Sequence, residues 1–461
     1  MKKAKKEKGV IPEKFLRKKE LRLPQLTEPE VVRHYTNLSS LNFHIDKGFY
    51  PLGSCTMKYN PKINEDLARH PCFLNLHPLQ SEDTVQGALK LMYELQELLC
   101  RISGMDAVSL QPSAGASGEF TALLIAKKYF KVNGEERKRV LLPDSAHGTN
   151  PASCTLAGFI PEEIKSDEEG LCNITELKKK IGKDVAMIML TVPNTLGLFE
   201  RRIKEISRIA EEEGVLLYLD GANMNAFLGI VLPSEMGFHL VHFNLHKTFS
   251  TPHGSGGPGG GALGVKKFLE EFLPVPVIRK KDDKYYFEWN LKHTIGKVHT
   301  FYGNFNVNIK AYTYIRMMGK DGLRKVAETS IINANYLKEI LKDYYDLPYK
   351  SRCMHEFVLS GAKQKRETGV RTLNIAKRLL DYGFHPPTIY FPLIVQEALM
   401  IEPTETESKD TLDKFAEALI NIAKECKEAP DKVLNAPHNM PVKRVDEARA
   451  SRELDVNYFA K

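Results

Sequence analysis

Several short segments of this chain hold residues that could do chemistry together, and each directly follows an apolar run. Asp220 ends the run Val215-Leu216-Leu217-Tyr218-Leu219 and is followed by Gly221-Ala222-Asn223. Lys247 lies in Asn244-Leu245-His246-Lys247-Thr248, just after Leu240-Val241-His242-Phe243. An acid at a strand end commonly caps the next helix or binds a metal, and a lone lysine is most often a solvated charge. Lys247 differs in standing between an apolar run and the glycine-rich residues 254–261. Such a run allows close backbone approach and φ > 0, so its main-chain N–H groups can hold flat or anionic groups. It is not a P-loop, because no Gly-Lys-Ser/Thr closes it. Gln111-Pro112-Ser113-Ala114-Gly115-Ala116-Ser117-Gly118 leads into a helical pattern near Glu119, where small residues would let a phosphate rest on a helix N-terminus. A tight turn is the plain alternative. Asp144-Ser145-Ala146-His147-Gly148-Thr149-Asn150-Pro151 puts His147 in a polar loop, where an imidazole can find a hydrogen bond or stack on an aromatic ring.

Together these parts meet the needs of one cofactor. Pyridoxal phosphate requires a lysine to form an imine with its aldehyde, a carboxylate beside the pyridine nitrogen, an aromatic face and a phosphate cradle. The carboxylate keeps the ring nitrogen protonated by placing an opposite charge beside it. The ring can then accept the electron pair left when a bond at an amino acid's α-carbon breaks. The order along the chain is phosphate turn, His147, Asp220, Lys247.

The elements that must position these residues follow from periodicity. Residues 81–101 carry Val85, Ala88, Leu89, Met92, Leu95 and Leu99 at helical spacing, and residues 203–213 repeat the pattern. Short apolar runs begin at Ala107, Val140, Val185, Val215 and Leu240. Strands separated by helices predict an α/β fold with a mainly parallel sheet covered on both faces. Ligands bind such sheets beyond the carboxyl ends of the strands, where these polar segments fall. The texture shifts near residue 325, so three regions are expected. They are an N-terminal arm over 1–80, a large domain over 81–325 and a smaller α/β domain over 326–461, ending in a charged tail. The turn-rich stretch Tyr50 to Tyr59 reads as an arm that covers a partner's surface.

Composition narrows the rest. The chain has 461 residues, 42% hydrophobic and 27% charged, which suits a globular protein rather than a disordered one. No run reaches the ~20 apolar residues of a membrane helix, and no apolar stretch follows the basic start MKKAKKEKG. A cytoplasmic protein that binds no membrane is expected. The net charge of +8 is spread thinly, in tracts such as Lys178-Lys179-Lys180 and Arg279-Lys280-Lys281, without a nucleic-acid-binding motif. The seven cysteines form no CxxC pair, so reduced thiols are expected and neither disulfides nor a metal site.

At these residues the sequence resembles the fold-type I pyridoxal-phosphate enzymes, the aspartate-aminotransferase-like fold. More narrowly, it resembles the glycine decarboxylase (P-protein) family of the glycine cleavage system. The likeness runs through residues 50–59, 111–118, 144–151, 244–261 and 300–304, Thr191-Val192-Pro193-Asn194-Thr195, Asp220-Gly221-Ala222-Asn223, Met354-His355-Glu356-Phe357 and Met400-Ile401-Glu402-Pro403-Thr404-Glu405. Single-chain members are about twice this length, and this chain is similar to their cofactor-bearing half, a separate subunit 2 in many bacteria and archaea. The resemblance implies glycine and a lipoylated H-protein as substrates, a subunit 1 as partner, and a heterotetramer with two copies of each subunit. It implies that Lys247 carries the cofactor, Asp220 meets the pyridine nitrogen and His147 stacks on the ring. Ser113, Ala114, Gly115 and His246 would lie near the phosphate, Ala222 in the cofactor site, and Asn194 or Thr195 beside the phenolic oxygen. Ser113 and Ser117 stand where the family has an amide side chain, Ser255 interrupts the glycine run, and Asn306 replaces a Gly. Arg352 is the candidate for the glycine carboxylate. The competing readings are another fold-type I enzyme (aminotransferase, aldolase or desulfurase) and a cofactor-free regulatory subunit. A desulfurase needs a mobile nucleophilic cysteine, and none stands in a segment that the sequence ties to the site.

Overall fold

In the computed structural model the apolar runs form a seven-stranded sheet. Its strands are β1 (Ala107–Ser109), β2 (Arg139–Pro143), β3 (Ile160–Ile164), β4 (Val185–Thr191), β5 (Leu216–Gly221), β6 (Leu240–Asn244) and β7 (Gly261–Val265). Their spatial order is β1-β7-β6-β5-β4-β2-β3. The pairs from β3 through β2, β4 and β5 to β6 are parallel, whereas β7 runs antiparallel to both β6 and β1. The mainly parallel sheet is therefore as expected. β7 itself goes unannounced in the sequence, because Gly261-Ala262-Leu263-Gly264-Val265 lacks the bulky side chains that mark a strand.

Residues 11–19, 21, 23–253 and 257–456 are described. The basic residues 1–8 and part of the glycine run, Gly254, Ser255 and Gly256, lie outside them. The chain divides into two units, residues 1–43 and 44–461. In the first, the helix Glu28–Leu41 starts at Thr27, whose N–H and hydroxyl both donate to Glu30 Oε2 at 2.7 Å, and none of its residues is buried.

In the second unit both faces of the sheet are covered. Leu217 and Leu219 of β5 enter one core with the helices Gln86–Ser103 and Ile203–Glu212, while Leu216 and Tyr218 enter another with the helix Gly115–Val132. This is why parallel strands read as unbroken apolar runs. Each fully buried leucine contributes about 1.5–3 kcal/mol relative to an exposed one. The helix expected from residue 81 begins at Gln86, since Glu82–Thr84 form a 3-10 turn, and it ends at Gly104 with φ +71°.

A helical segment, Phe305–Leu341, made of two helices joined at a kink at Gly319, crosses the texture change near residue 325. Its first half packs on the large sheet through Phe305, Ile309 and Ile315, and its second half enters a C-terminal core through Ala334, Leu337 and Leu341. That core backs an antiparallel sheet of β10 (Phe357–Ser360), β11 (Thr388–Ile389) and β12 (Ala398–Ile401), in the order β10-β12-β11. The hairpin of β8 (Val277–Lys281) and β9 (Lys284–Glu288) completes the strands. The helices Thr372–Asp381 and Lys409–Glu428 cover the C-terminal sheet.

The Tyr50 to Tyr59 stretch packs against its own chain. Leu52 bridges Ile401, Gly53 N donates to Met400 O at 3.3 Å, and Thr388 Oγ1 donates to Gly53 O at 2.8 Å. Lys58 is 3% exposed and donates to Glu405 Oε1 (2.8 Å), Thr248 O (2.8 Å) and Asn225 Oδ1 (2.9 Å). Only long-range pairing makes this segment rigid, because its turn-rich composition buries little by itself.

Candidate active site

A cavity of about 260 Å³ opens at the carboxyl ends of β4, β5 and β6. Asp220 reaches it from β5. The sheet register pairs Asp220 with His242 of β6. Asp220 Oδ1 accepts from Ala222 N at 3.0 Å and lies 3.5 Å from His242 Nε2, while Oδ2 accepts from Asn150 Nδ2 at 3.2 Å. Behind it, the Tyr218 hydroxyl meets His242 Nδ1 at 2.5 Å. Burial alone would push the Asp220 carboxyl up, but His242, Lys247 and these N–H donors outweigh it and hold the group below the usual carboxylate range. Asp220 is thus a buried, oriented anion.

Lys247 sits in the turn after β6, where its own N–H donates to Asn244 O at 3.0 Å. Its Nζ donates to Ser54 O at 2.7 Å. The Ser54–Thr56 turn also carries Cys55. Burial pushes the Cys55 thiol above its ordinary value despite the lysine's charge.

The opposite wall comes from the turns after β1 and β2. Ala114 and Gly115 open the helix Gly115–Val132 into the cavity. A side chain at Gly115 would meet Asn244 Oδ1 at 2.1 Å, so glycine lets the Asn244 side chain keep its place against the helix start. The unpaired N–H groups of the first helical turn and the helix dipole favour an anion here. His147 Nδ1 accepts from Thr149 N at 3.2 Å, which fixes the ring, and burial with Lys247's charge lowers its pKa. His246 lines the cavity against Gly259, and burial and Lys247 push its pKa down to about 4, so it is neutral at physiological pH.

The structure therefore brings together Lys247, Asp220, His147, Ala114, Gly115, Thr195, Ala222 and His246. Two expected residues do not line the cavity. Asn194 folds into its own turn, with Nδ2 donating to Gly170 O at 2.7 Å and Oδ1 accepting from Leu196 N and Leu198 N. Ser113 lies just before the lining residues. Arg352 belongs to a different cleft, beside Lys338 and Asp346. Asn306, in place of the expected Gly, donates to Ala68 O at 3.4 Å.

Sequence reasoning missed Glu119, which lines the cavity and accepts from Thr149 Oγ1 (2.9 Å) and Ser153 Oγ (3.2 Å). Burial, then the charge of Asp220, pushes its carboxyl up to about 7. It missed His242 too, although a histidine inside an apolar strand was a usable signal. Ser54, Glu356 and Glu402 lie too far along the chain from Lys247 for local pattern to find them.

The residues present suit pyridoxal phosphate. An ionised Asp220 matches a protonated pyridine nitrogen, the helix terminus at Ala114–Gly115 matches a phosphate, and the His147 ring matches an aromatic face. Three buried side-chain atoms of lining residues, Thr191 Oγ1, Asn223 Oδ1 and Asn244 Oδ1, have no hydrogen-bond partner, as expected of a site built around a polar occupant.

Comparisons with known proteins agree with this site. Residues 6–286 match the family described as glycine cleavage system P-protein, and residues 326–444 match the glycine dehydrogenase C-terminal domain. A "probable glycine dehydrogenase (decarboxylating) subunit 2" of Caldanaerobacter subterraneus is 60% identical over 96% of this chain and 91% of its own. The protein of that name from Halalkalibacterium halodurans is 57% identical over 97% of this chain and 92% of its own. Among solved structures, an inhibitor-bound glycine decarboxylase (P-protein) of the glycine cleavage system superposes with TM-score 0.76 at 19% identity, covering 90% of this chain and 93% of that one. A cysteine desulfurase from Thermococcus onnurineus shares the fold, with TM-score 0.63 at 16% identity over 87% of this chain and 100% of that one. The fold is that of the fold-type I pyridoxal-phosphate enzymes, and by identity sustained over nearly its whole length the chain belongs to the glycine cleavage system P-protein family.

Proposed function

We propose that this chain is the cofactor-bearing subunit of a glycine decarboxylase. It would bind pyridoxal phosphate through Lys247, release the carboxyl group of glycine as carbon dioxide and pass the aminomethyl group to the lipoyl-lysine of an H-protein. The observation that carries this reading is the convergence of Lys247, Asp220, His147 and the helix terminus at Gly115 on one cavity. The names of the 57–60% identical relatives support it. In this reading residues 81–325 hold the cofactor, 326–461 form the smaller domain and 1–80 the arm.

Pyridoxal phosphate, when bound, supplies an electron sink for the pair left by the lost carboxyl group. The protein's own groups do the rest. Asp220, held ionised by His242 and Asn150, would accept the pyridine N–H and keep that proton in place. His147, fixed by Thr149, would lie against the ring, and Thr195 would face the phenolic oxygen. The Ser54 carbonyl accepts from the Lys247 amine and would hold it whenever it is not bonded to the cofactor. Among the described residues lining the cavity there is no arginine, and the groups this chain would offer the glycine carboxylate are hydroxyls, amides and imidazoles. A carboxylate not locked in a bidentate ion pair forfeits less binding energy when it leaves as neutral carbon dioxide, which is differential stabilisation in favour of decarboxylation. The raised Cys55 thiol counts against a desulfurase, whose cysteine must act as a thiolate.

The word subunit in the relatives' names supports a partner, here a subunit 1 in a tetramer with two copies of each. Borohydride reduction of the pyridoxal-phosphate-loaded chain followed by peptide mass mapping should place the pyridoxyl group on Lys247. Label on another lysine would refute the assignment. Exchange of labelled carbon dioxide into glycine should need lipoylated H-protein and subunit 1. Full exchange by this chain with H-protein alone would refute the partner requirement.

A further inference from the structure

Two carboxyl groups with no part in that chemistry are fully buried beside the site. Glu356 and Glu402 are both 0% exposed, as is His355 between them. The register of β10 with β12 places Phe357 opposite Ile401, which brings the residue before one strand beside the residue after the other. Each glutamate accepts one backbone N–H from the same turn. Ser54 N donates to Glu356 Oε2 at 2.7 Å, and Thr56 N donates to Glu402 Oε2 at 2.9 Å. Glu356 Oε1 also accepts from Asn223 Nδ2 at 3.3 Å, and Asn223 Nδ2 donates to Pro193 O at 3.0 Å, which ties the pair to the ends of β4 and β5.

The turn needs this support. Ser54 and Thr56 have φ of +64° and +45°, a left-handed conformation that residues with a Cβ seldom adopt without outside reinforcement. The residue between the two anchors is Cys55, and the carbonyl preceding it, Ser54 O, accepts the Lys247 amine at 2.7 Å. Two carboxyl groups, two strained residues and the lysine thus form one chain of contacts.

The geometry points to Glu356 and Glu402 as positioning residues for Lys247: their carboxyl oxygens hold the Ser54–Thr56 turn, and the Ser54 carbonyl aims the amine. This rests on the reading of Lys247 as the cofactor lysine. What the turn requires is an acceptor oxygen, not a charge. Burial pushes Glu402 up to about 7 and, with the charge of Glu402, raises Glu356, while burial and Lys247 hold His355 down at about 3, so no cationic imidazole balances the pair. A carbonyl of the right reach should therefore serve as well as a carboxylate, and a shorter carboxylate should not.

The test is the rate at which added pyridoxal phosphate is fixed to Lys247 by borohydride, followed by peptide mass mapping of the full chain. Glu356→Gln and Glu402→Gln keep the acceptor and should label within about twofold of the parent. Glu356→Asp and Glu402→Asp keep the charge but fall one methylene short, and should label about tenfold more slowly at unchanged circular dichroism. Folded Asp variants that label at the parent rate would overturn the proposal, as would Gln variants slowed as much as the Asp ones. Should the Asp variants not fold, amide exchange of residues 53–57 in the Gln variants decides. Retained protection with parent-rate labelling supports the proposal, and lost protection with parent-rate labelling overturns it. A parent chain labelled on a lysine other than Lys247 would refute the lysine assignment itself, before any glutamate variant is compared.

Discussion

Besides the wall formed by the turns after β1 and β2, two walls of the cavity are built in different ways. One side is the row of strand ends from β4 to β6, where Asp220 and Lys247 each follow an apolar strand and neighbouring strands set their spacing. The other is the Ser54–Thr56 turn, held by Glu356 and Glu402 from the C-terminal sheet and, nearby, by Lys58 on Glu405. The first side takes its geometry from a sheet that must form for the chain to fold at all. The second takes it from a few buried polar contacts between distant parts of the chain, where a single lost partner leaves a buried group unsatisfied. In the proposed function, chemistry thus falls to the robust side and alignment to the fragile one.

Variants on each side should separate these roles. Lys247→Ala should leave no pyridoxyl label and cut glycine turnover by on the order of 10⁴-fold or more, with the fold intact by circular dichroism. Appreciable turnover in that variant would remove Lys247 from the chemistry. Asp220→Asn should still bind some cofactor but lose roughly 10²-fold or more in glycine decarboxylation, because a neutral amide no longer favours the protonated ring. Parent-like turnover would make Asp220 a structural cap.

On the fragile side, Lys58→Met leaves Glu405 with an uncompensated buried charge and should cost about 3–5 kcal/mol in denaturant unfolding. Adding Glu405→Leu should recover much of that loss, and no recovery would mean that packing, not the ion pair, holds the segment. The smallest effect concerns Glu119. Its carboxyl is raised from 4.5 to about 7 by burial and by Asp220, so its ionisation opposes folding increasingly as pH rises through that window. Glu119→Gln removes this term. Its stability relative to the parent should improve by about 2 kcal/mol between pH 5 and pH 8. A pH-independent difference would show that Glu119 is not held protonated.

Much of the strand-end side could be read in advance. Parallel strands buried on both faces need continuous apolar runs, and the polar residue ending each run faces the ligand crevice, so Asp220 and Lys247 were visible from order and spacing alone. His242 shows the limit. It sits inside the run of β6, and only the register with β5 reveals that it stands beside Asp220. Asn194 and Arg352 show where residue type alone does not give position. Both have side chains suited to polar ligands, yet one serves its own turn and the other faces a different cleft.

By itself, the sequence determined the α/β alternation, the lysine, the acid and the glycine-rich approaches, because each depends on residues adjacent along the chain. Tertiary structure alone decided that the Tyr50 to Tyr59 segment folds back on its own chain, that Glu119 stands beside Asp220, and that Glu356 and Glu402 hold the turn against Lys247. These arrangements depend on contacts between residues up to hundreds of positions apart. Burial and neighbouring charge then set the protonation of each group, and neither can be read from residue type.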